Sequence, residues 1–177
     1  MKATVPSEAR VQSIQELEQI FERHYELVYR TAYGVTGSVE DAEDVLQTIF
    51  LRLLGREFPP DLTKSPEPYL YKAAFNLSLN TLRQRKRCVL TDNIEPFDKR
   101  ITTTDDGSDD EISRRLHEAI AELHPAAAQI VILRYVHNYT LKDIARVLGT
   151  TRSTVAVSLF RSRARLKKRI TGMLGGL

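Results

Sequence analysis

Thr140-Leu-Lys-Asp-Ile-Ala-Arg-Val-Leu-Gly-Thr-Thr-Arg-Ser-Thr-Val-Ala-Val-Ser-Leu-Phe-Arg-Ser-Arg-Ala-Arg-Leu166 reads as two helices joined by a tight turn. Thr140 with Asp143 makes a capping-box pattern, with Asp in place of the preferred Glu. Ile144, the small Ala145 and Leu148 form the inner face of the first helix. Gly149 stands where the chain must turn, a place that commonly needs a positive φ. Thr150 or Thr151 then caps a second helix, whose Val155, Leu159 and Leu166 face inward. Arg152, Ser153, Ala156, Phe160, Arg161 and Arg163 are left on or near the exposed side. From Arg146 to the C-terminus the bases are Arg146, Arg152, Arg161, Arg163, Arg165, Lys167, Lys168 and Arg169, with no acid. A charge run alone would describe any solvated helix face. Caps, glycine and small alanine in this register instead point to a helix-turn-helix that binds DNA.

Working outward, charge is unevenly spread. The net charge of the 177 residues is only +3. From Lys72 to Arg87 the charges are all basic: Lys72, Arg83, Arg85, Lys86 and Arg87. From Asp92 to Glu111 there are eight acids against Lys99 and Arg100. Two basic segments around an acidic one suit a polyanion touched at two places. Cys88 is alone, which excludes an internal disulfide and a cysteine metal cluster. Residues 1–13 lack an apolar signal core, and no run of about 18 apolar residues occurs. These features predict a cytoplasmic chain without membrane insertion.

Helical periodicity dominates, so the expected fold is all-α: two small helical domains joined by a flexible acidic linker, the second a helix-turn-helix. The expected divisions are 1–88, 89–111 and 112–177. A first helix is expected over Ser13–Val35, with Ser13 as N-cap and Glu16 completing its box. Gly37 breaks it, and Ser38 caps a second helix whose first turns hold Glu40, Asp41, Glu43 and Asp44. Gly55–Pro68, with four prolines, reads as a loop. A third helix spans roughly Glu67–Arg87 and buries Leu70, Ala73, Ala74, Leu77 and Leu82. Val89–Asp110, with its acid excess, Pro96 and Gly107, reads as a mobile linker. Neutralising its acids is expected to raise non-specific DNA binding. Ile112 opens the second module, and Pro125 suits the first turn of its next helix.

Two regions together resemble the extracytoplasmic-function class of bacterial sigma factors, the smallest of the sigma-70 family. Leu148-Gly-Thr-Thr-Arg-Ser-Thr-Val155 and Leu159-Phe-Arg-Ser-Arg-Ala-Arg-Leu166 are similar to that family's fourth region. Thr36–Leu53 and Tyr69–Arg87 are similar to its second region. The resemblance covers most of residues 14–87 and 112–170. It implies a promoter-specificity subunit that binds core RNA polymerase, reads the minus-thirty-five element as duplex and opens the minus-ten element. It also implies a possible further partner, an anti-sigma factor.

The residues agree with that division of labour. Asp41, Asp44, Gln47 and Arg52 flank the apolar stripe of the second helix and suit contact with the polymerase. Lys72, Asn76, Asn80 and Arg83 fall on one stripe of the third helix, where Asn can read base edges and the bases hold phosphate. Tyr69 and Tyr71 can stack on an unpaired base, or Tyr71 is core. In the family, the loop before this helix captures a flipped base, which here places the capture within Gly55–Pro68. The chain departs from the family at three positions: Tyr69 replaces a usual Trp, and Ala156 and Ser158 replace common basic residues.

Two other classes fit less well. A free-standing helix-turn-helix regulator leaves the Asp41–Leu53 helix and the Asn76/Asn80 stripe without a purpose. A metal-dependent nuclease would need converging ligands. Glu40, Asp41, Glu43 and Asp44 instead point apart around a helix, and His24, His117, His124 and His137 lack ligand spacing. No catalytic residue, metal or cofactor is expected.

Overall fold

A computed structural model describes residues 8–54, 58–91 and 107–174. The described residues form eight α-helices and no strand. Helix α1 spans Glu8–Thr36. It begins five residues ahead of Ser13, so Ser13 lies inside the helix rather than at its N-cap. Gly37, at φ 69°, ends it in the left-handed region. Ser38 then caps α2 (Val39–Leu54), its hydroxyl accepting the Asp41 N–H at 3.3 Å.

The proline-rich segment is not all loop. Pro59 is extended at an N-cap position, Pro60 sits at the first helical position, and α3 runs Pro60–Lys64. Proline's fixed φ and missing donor suit a helix start. The fully buried Leu62 anchors this short helix. Helix α4 (Pro66–Thr91) continues past the expected end at Arg87.

The second module holds α5 (Gly107–Ala121), α6 (Pro125–Tyr135), α7 (Leu141–Leu148) and α8 (Arg152–Leu174). Helix occupies both ends of the expected linker, and the middle, 92–106, lies outside the described residues, as do its expected mobility and charge shielding. Pro125 takes the first helical position of α6, as its placement predicts, behind His124 as N-cap.

The helix-turn-helix forms through the expected local devices. The Thr140 hydroxyl oxygen accepts the Asp143 N–H at 3.2 Å, and its proton goes to Asp143 Oδ2 at 2.5 Å. The Asp thus answers the cap hydroxyl rather than the cap N–H. Gly149 has φ 63° and ψ 40°, and its N–H reaches the carbonyls of Ala145 and Arg146. A Cβ there would meet nothing within 4 Å, so backbone conformation alone demands glycine. Thr151, not Thr150, caps α8 by accepting the Thr154 N–H at 3.2 Å.

Two apolar clusters hold the fold. One joins α1, α2, α3 and α4 around Val28, Ala32, Val45, Ile49, Leu62, Leu70 and Ala74. The other centres on Ile132, Leu133, Ile144 and Val155 but also takes in Val35, Tyr71, Phe75 and Leu79 from the first module. Each of the larger apolar side chains contributes about 1.5–3 kcal/mol on burial. The two modules are therefore packed on each other.

Polar contacts join them as well. The Tyr71 hydroxyl donates to the Gln129 carbonyl at 2.8 Å. Arg30 donates to the Val136 carbonyl, and the Tyr139 hydroxyl donates to Glu67. Thr31 gives its proton to the Leu27 carbonyl at 2.7 Å, so its oxygen accepts from His137 Nε2–H at 2.9 Å. Nε2 of His137 therefore carries a proton, and burial favours the neutral ring. Burial pushes its pKa down to about 4, Arg30 adds to the shift, and Glu67 and Glu26 oppose it.

Gly149→Ala should cost about 1–2 kcal/mol, and Gly149→Asn less, as read from urea unfolding midpoints. The neutral His137 contributes stability above the ordinary histidine pKa of 6.5, and that contribution is lost as pH falls toward about 4. The midpoint of His137→Gln should therefore fall less than the parent's between about pH 7 and about pH 4.

Candidate nucleic-acid and partner surfaces

Helix α8 turns Val155, Leu159, Ser162 and Leu166 inward. The opposite side exposes Arg152, Ser153, Phe160, Arg161 and Arg163, as expected, while Ala156 is half-buried. Phe160 is 76% exposed, unusual for a side chain that gains from burial. Sequence reading passed over Val157, which is 48% exposed. Its signal was available: Val157 lies four residues after Ser153 and four before Arg161, on one helical row.

Each flank of α8 borders a cleft. Ser153, Thr154, Val157, Ser158, Arg161 and Arg165 line one of about 700 Å³. Phe160, Arg163 and Lys167 face Arg30 and Tyr33 of α1 across another of about 970 Å³. The basic charge is not wholly unopposed in space. Arg169 pairs with Glu122 of α5 at 2.8 Å, and Arg146 with Asp143 at 3.1 Å. Glu122 precedes the acid-free stretch in sequence, and folding brings it back. Arg152, Arg161, Arg163, Arg165, Lys167 and Lys168 have no carboxylate partner among the described residues.

On α4, Lys72, Asn76, Asn80 and Arg83 are all exposed along one stripe. Lys72 and Asn76 reach a cleft of about 590 Å³ shared with Asp61, Lys64 and Ser65 around α3 and with Tyr69. Tyr69 is half-buried at its wall. Tyr71 is core: 1% exposed, its hydroxyl bound to Gln129, it cannot stack on a base in this arrangement. The helix turn separates the two tyrosines, because residues two apart point to different sides.

On α2, Asp44, Gln47 and Arg52 are exposed, but Asp41 is not. Its Oδ2 lies 2.8 Å from Arg85 of α4, in a poor geometry for a hydrogen bond. Burial raises its pKa, Arg85 opposes that, and Asp44 and Glu40 add to it. The polar edge therefore starts at Asp44, and Asp41 ties α2 to α4. Two exposed leucines share that edge, unforeseen from sequence: Leu51 at 65% and Leu54 at 55%. With Asp44 and Gln47 they follow i, i+3, i+7, i+10 spacing, one face of the helix. The face is therefore mixed, with two exposed leucines beside polar groups.

Residues 20–88 match Sigma-70 region 2, and residues 113–166 match Sigma-70, region 4. By sequence the chain is similar to the ECF RNA polymerase sigma factor SigW of Bacillus subtilis, at 22% identity, covering 81% of this chain and 82% of that protein. It is also similar to the ECF RNA polymerase sigma factor SigE of Mycolicibacterium smegmatis, at 27% identity over 85% of this chain and 60% of that protein. In fold it is similar to the sigma factor RpoE of Bartonella quintana, solved with the anti-sigma factor NepR. That match has a TM-score of 0.52 and 16% identity, covering 89% of this chain and 98% of that one. The chain belongs to the sigma-70 family, in its extracytoplasmic-function class.

Arg85→Ala should lower stability at neutral pH by leaving the buried Asp41 carboxylate without its counter-charge. The deficit requires an ionised Asp41. It should therefore shrink as pH falls through the raised Asp41 pKa and vanish below the ordinary value of 3.8. Urea midpoints of parent and variant across that range check it.

Proposed function

We propose that the two modules divide the work of a promoter-specificity subunit of RNA polymerase between a melting surface on α4 and a duplex-reading surface on α8. The chain binds core RNA polymerase and promoter DNA and carries out no catalytic step of its own. It works in the cytoplasm, where polymerase and promoter meet. Among the described residues no helix is long and apolar enough to cross a membrane.

One observation carries the reading. A single chain pairs an exposed Lys72–Asn76–Asn80–Arg83 stripe with a capped, basic helix-turn-helix. In the duplex reader, Arg152 and Ser153 open α8 beside base edges, Phe160 and Ala156 offer apolar contact, and Arg161 and Arg163 hold phosphate. In the melting surface, the α3–α4 cleft receives an extruded base, with Tyr69 as its stacking wall and Lys72 near its phosphate. Asp44, Gln47 and Arg52, with Leu51 and Leu54, dock on the polymerase. A regulator that contacts DNA alone has no need of that mixed apolar and polar face. An anti-sigma factor is a further expected partner, as NepR is for the Bartonella protein.

Purified chain added to core polymerase should start transcripts at specific promoters, and the absence of any specific start would overturn the reading. Arg152→Ala and Arg161→Ala should each weaken binding of the polymerase complex to minus-thirty-five DNA. Each should also reduce the slope of log affinity against log salt by about one where the side chain meets phosphate.

A further inference from the structure

The cleft of about 970 Å³ between α1 and α8 keeps two chemistries in separate places. Its floor is aliphatic: Ile120, Ile132 and Leu166 are buried, and Val136 is half-buried. Helix α1 meets this floor at Gly34, where a Cβ would lie 2.8 Å from Val136 Cγ2. The mouth carries Tyr33, Tyr135 and Phe160, at 41%, 50% and 76% exposed. Tyr33 packs edge-on to His117 at 6.2 Å, which steadies that wall. Three large rings around one opening form a patch, unlike a lone surface leucine.

The charge at the mouth has one sign. Arg30, Arg163 and Lys167 reach it, and among the described residues no Asp or Glu lines the cleft. Arg163 and Lys167 lie four apart, on one side of α8. Arg30 looks across from α1, but it already donates to the Val136 carbonyl and lies 3.4 Å from Glu26. Arg163 and Lys167 are therefore the stronger anchors.

These chemistries select a ligand. A cation finds no acid here. A sugar or a bare phosphate makes no use of the floor, whose side chains offer no hydrogen bond. An apolar cleft with a few convergent polar groups is the common form of a small-molecule site. We propose that this cleft binds a long-chain aliphatic carboxylate, its head between Arg163 and Lys167 and its tail along Ile120, Ile132 and Leu166. Phe160 and Arg163 also belong to the duplex-reading surface, so a seated carboxylate should compete with minus-thirty-five DNA. That consequence rests on the proposed function; the binding itself does not.

Titration calorimetry of the full chain with sodium laurate, kept below its micelle concentration, tests the site. A single laurate should bind per chain, about tenfold tighter than octanoate or more, since each buried methylene strengthens binding about fourfold. Dodecyltrimethylammonium, with a like tail and the opposite charge, should bind about tenfold more weakly than laurate. Lys167→Glu should weaken laurate about tenfold, because it removes one attraction and adds one repulsion. Ala164→Trp, at an exposed position lining the cleft, should abolish binding with helix content unchanged by circular dichroism. Equal binding of octanoate and laurate, equal binding of the cation and laurate, or unchanged laurate binding in both variants overturns the site. Binding to phosphatidylglycerol vesicles without binding of free laurate assigns the patch to a membrane surface and overturns it. Self-association that Ala164→Trp removes, without laurate binding, assigns it to a second copy and overturns it too. Laurate that binds with these preferences but leaves minus-thirty-five DNA in place keeps the site and overturns only the competition. A chain that takes laurate but never binds minus-thirty-five DNA keeps the site and overturns the function proposed for α8.

Discussion

Helix α1 has to bury two faces at once, and everything else is arranged around that demand. Val28 and Ala32 turn toward α2 and α4, while Thr31, Gly34 and Val35 turn toward the second module. A helix buried on two sides leaves no slack in the elements that cover it. Helix α2 is pinned by the Ser38 cap and by Asp41 against Arg85. Helix α6 comes close because Gly34 has no side chain. The second module then presents α8 outward, since its inner face is spent on α5, α6 and α7.

Once those faces are filled, the remaining surfaces separate by chemistry. Amides and bases are left on α4, bases with Phe160 and Val157 on α8, and Asp44, Gln47, Leu51 and Leu54 on α2. Two of these surfaces carry the chemistry proposed to meet nucleic acid, and one the mixed face proposed to meet protein. The buried junction adds a constraint of another kind. Its polar groups pair across the two modules, so the contact is specific in a way that the purely apolar packing of Val28 or Leu62 is not.

The helix-turn-helix was legible in the sequence because its signals are local. Thr140, Gly149 and Thr151 act within four residues of themselves, through hydroxyl caps and one left-handed backbone. The exposed stripe of α4 was legible for the same reason: helical period alone puts Lys72, Asn76, Asn80 and Arg83 on a line. The readings that failed depended on distant partners. Asp41 looked like a surface acid until Arg85 arrived from more than forty residues away. Tyr71 looked fit to stack on a base, with the core as the alternative, and the structure puts it in the core. Gly55–Pro68 read as a loop, and burial of Leu62 is what makes so short a helix as α3 worth forming.

The sequence by itself determined the longer helices, the caps at Ser38, Thr140 and Gly149, the two-module order and the membership of a family, because period, capping and motif spacing are properties of neighbouring residues. Only the tertiary structure decided which polar side chains are tools and which are ties. Asp41, Tyr71 and His137 are ties. The reason is physical: burial and pairing are set by what folds against a residue, and desolvation changes its charge and reach in ways its own segment does not encode.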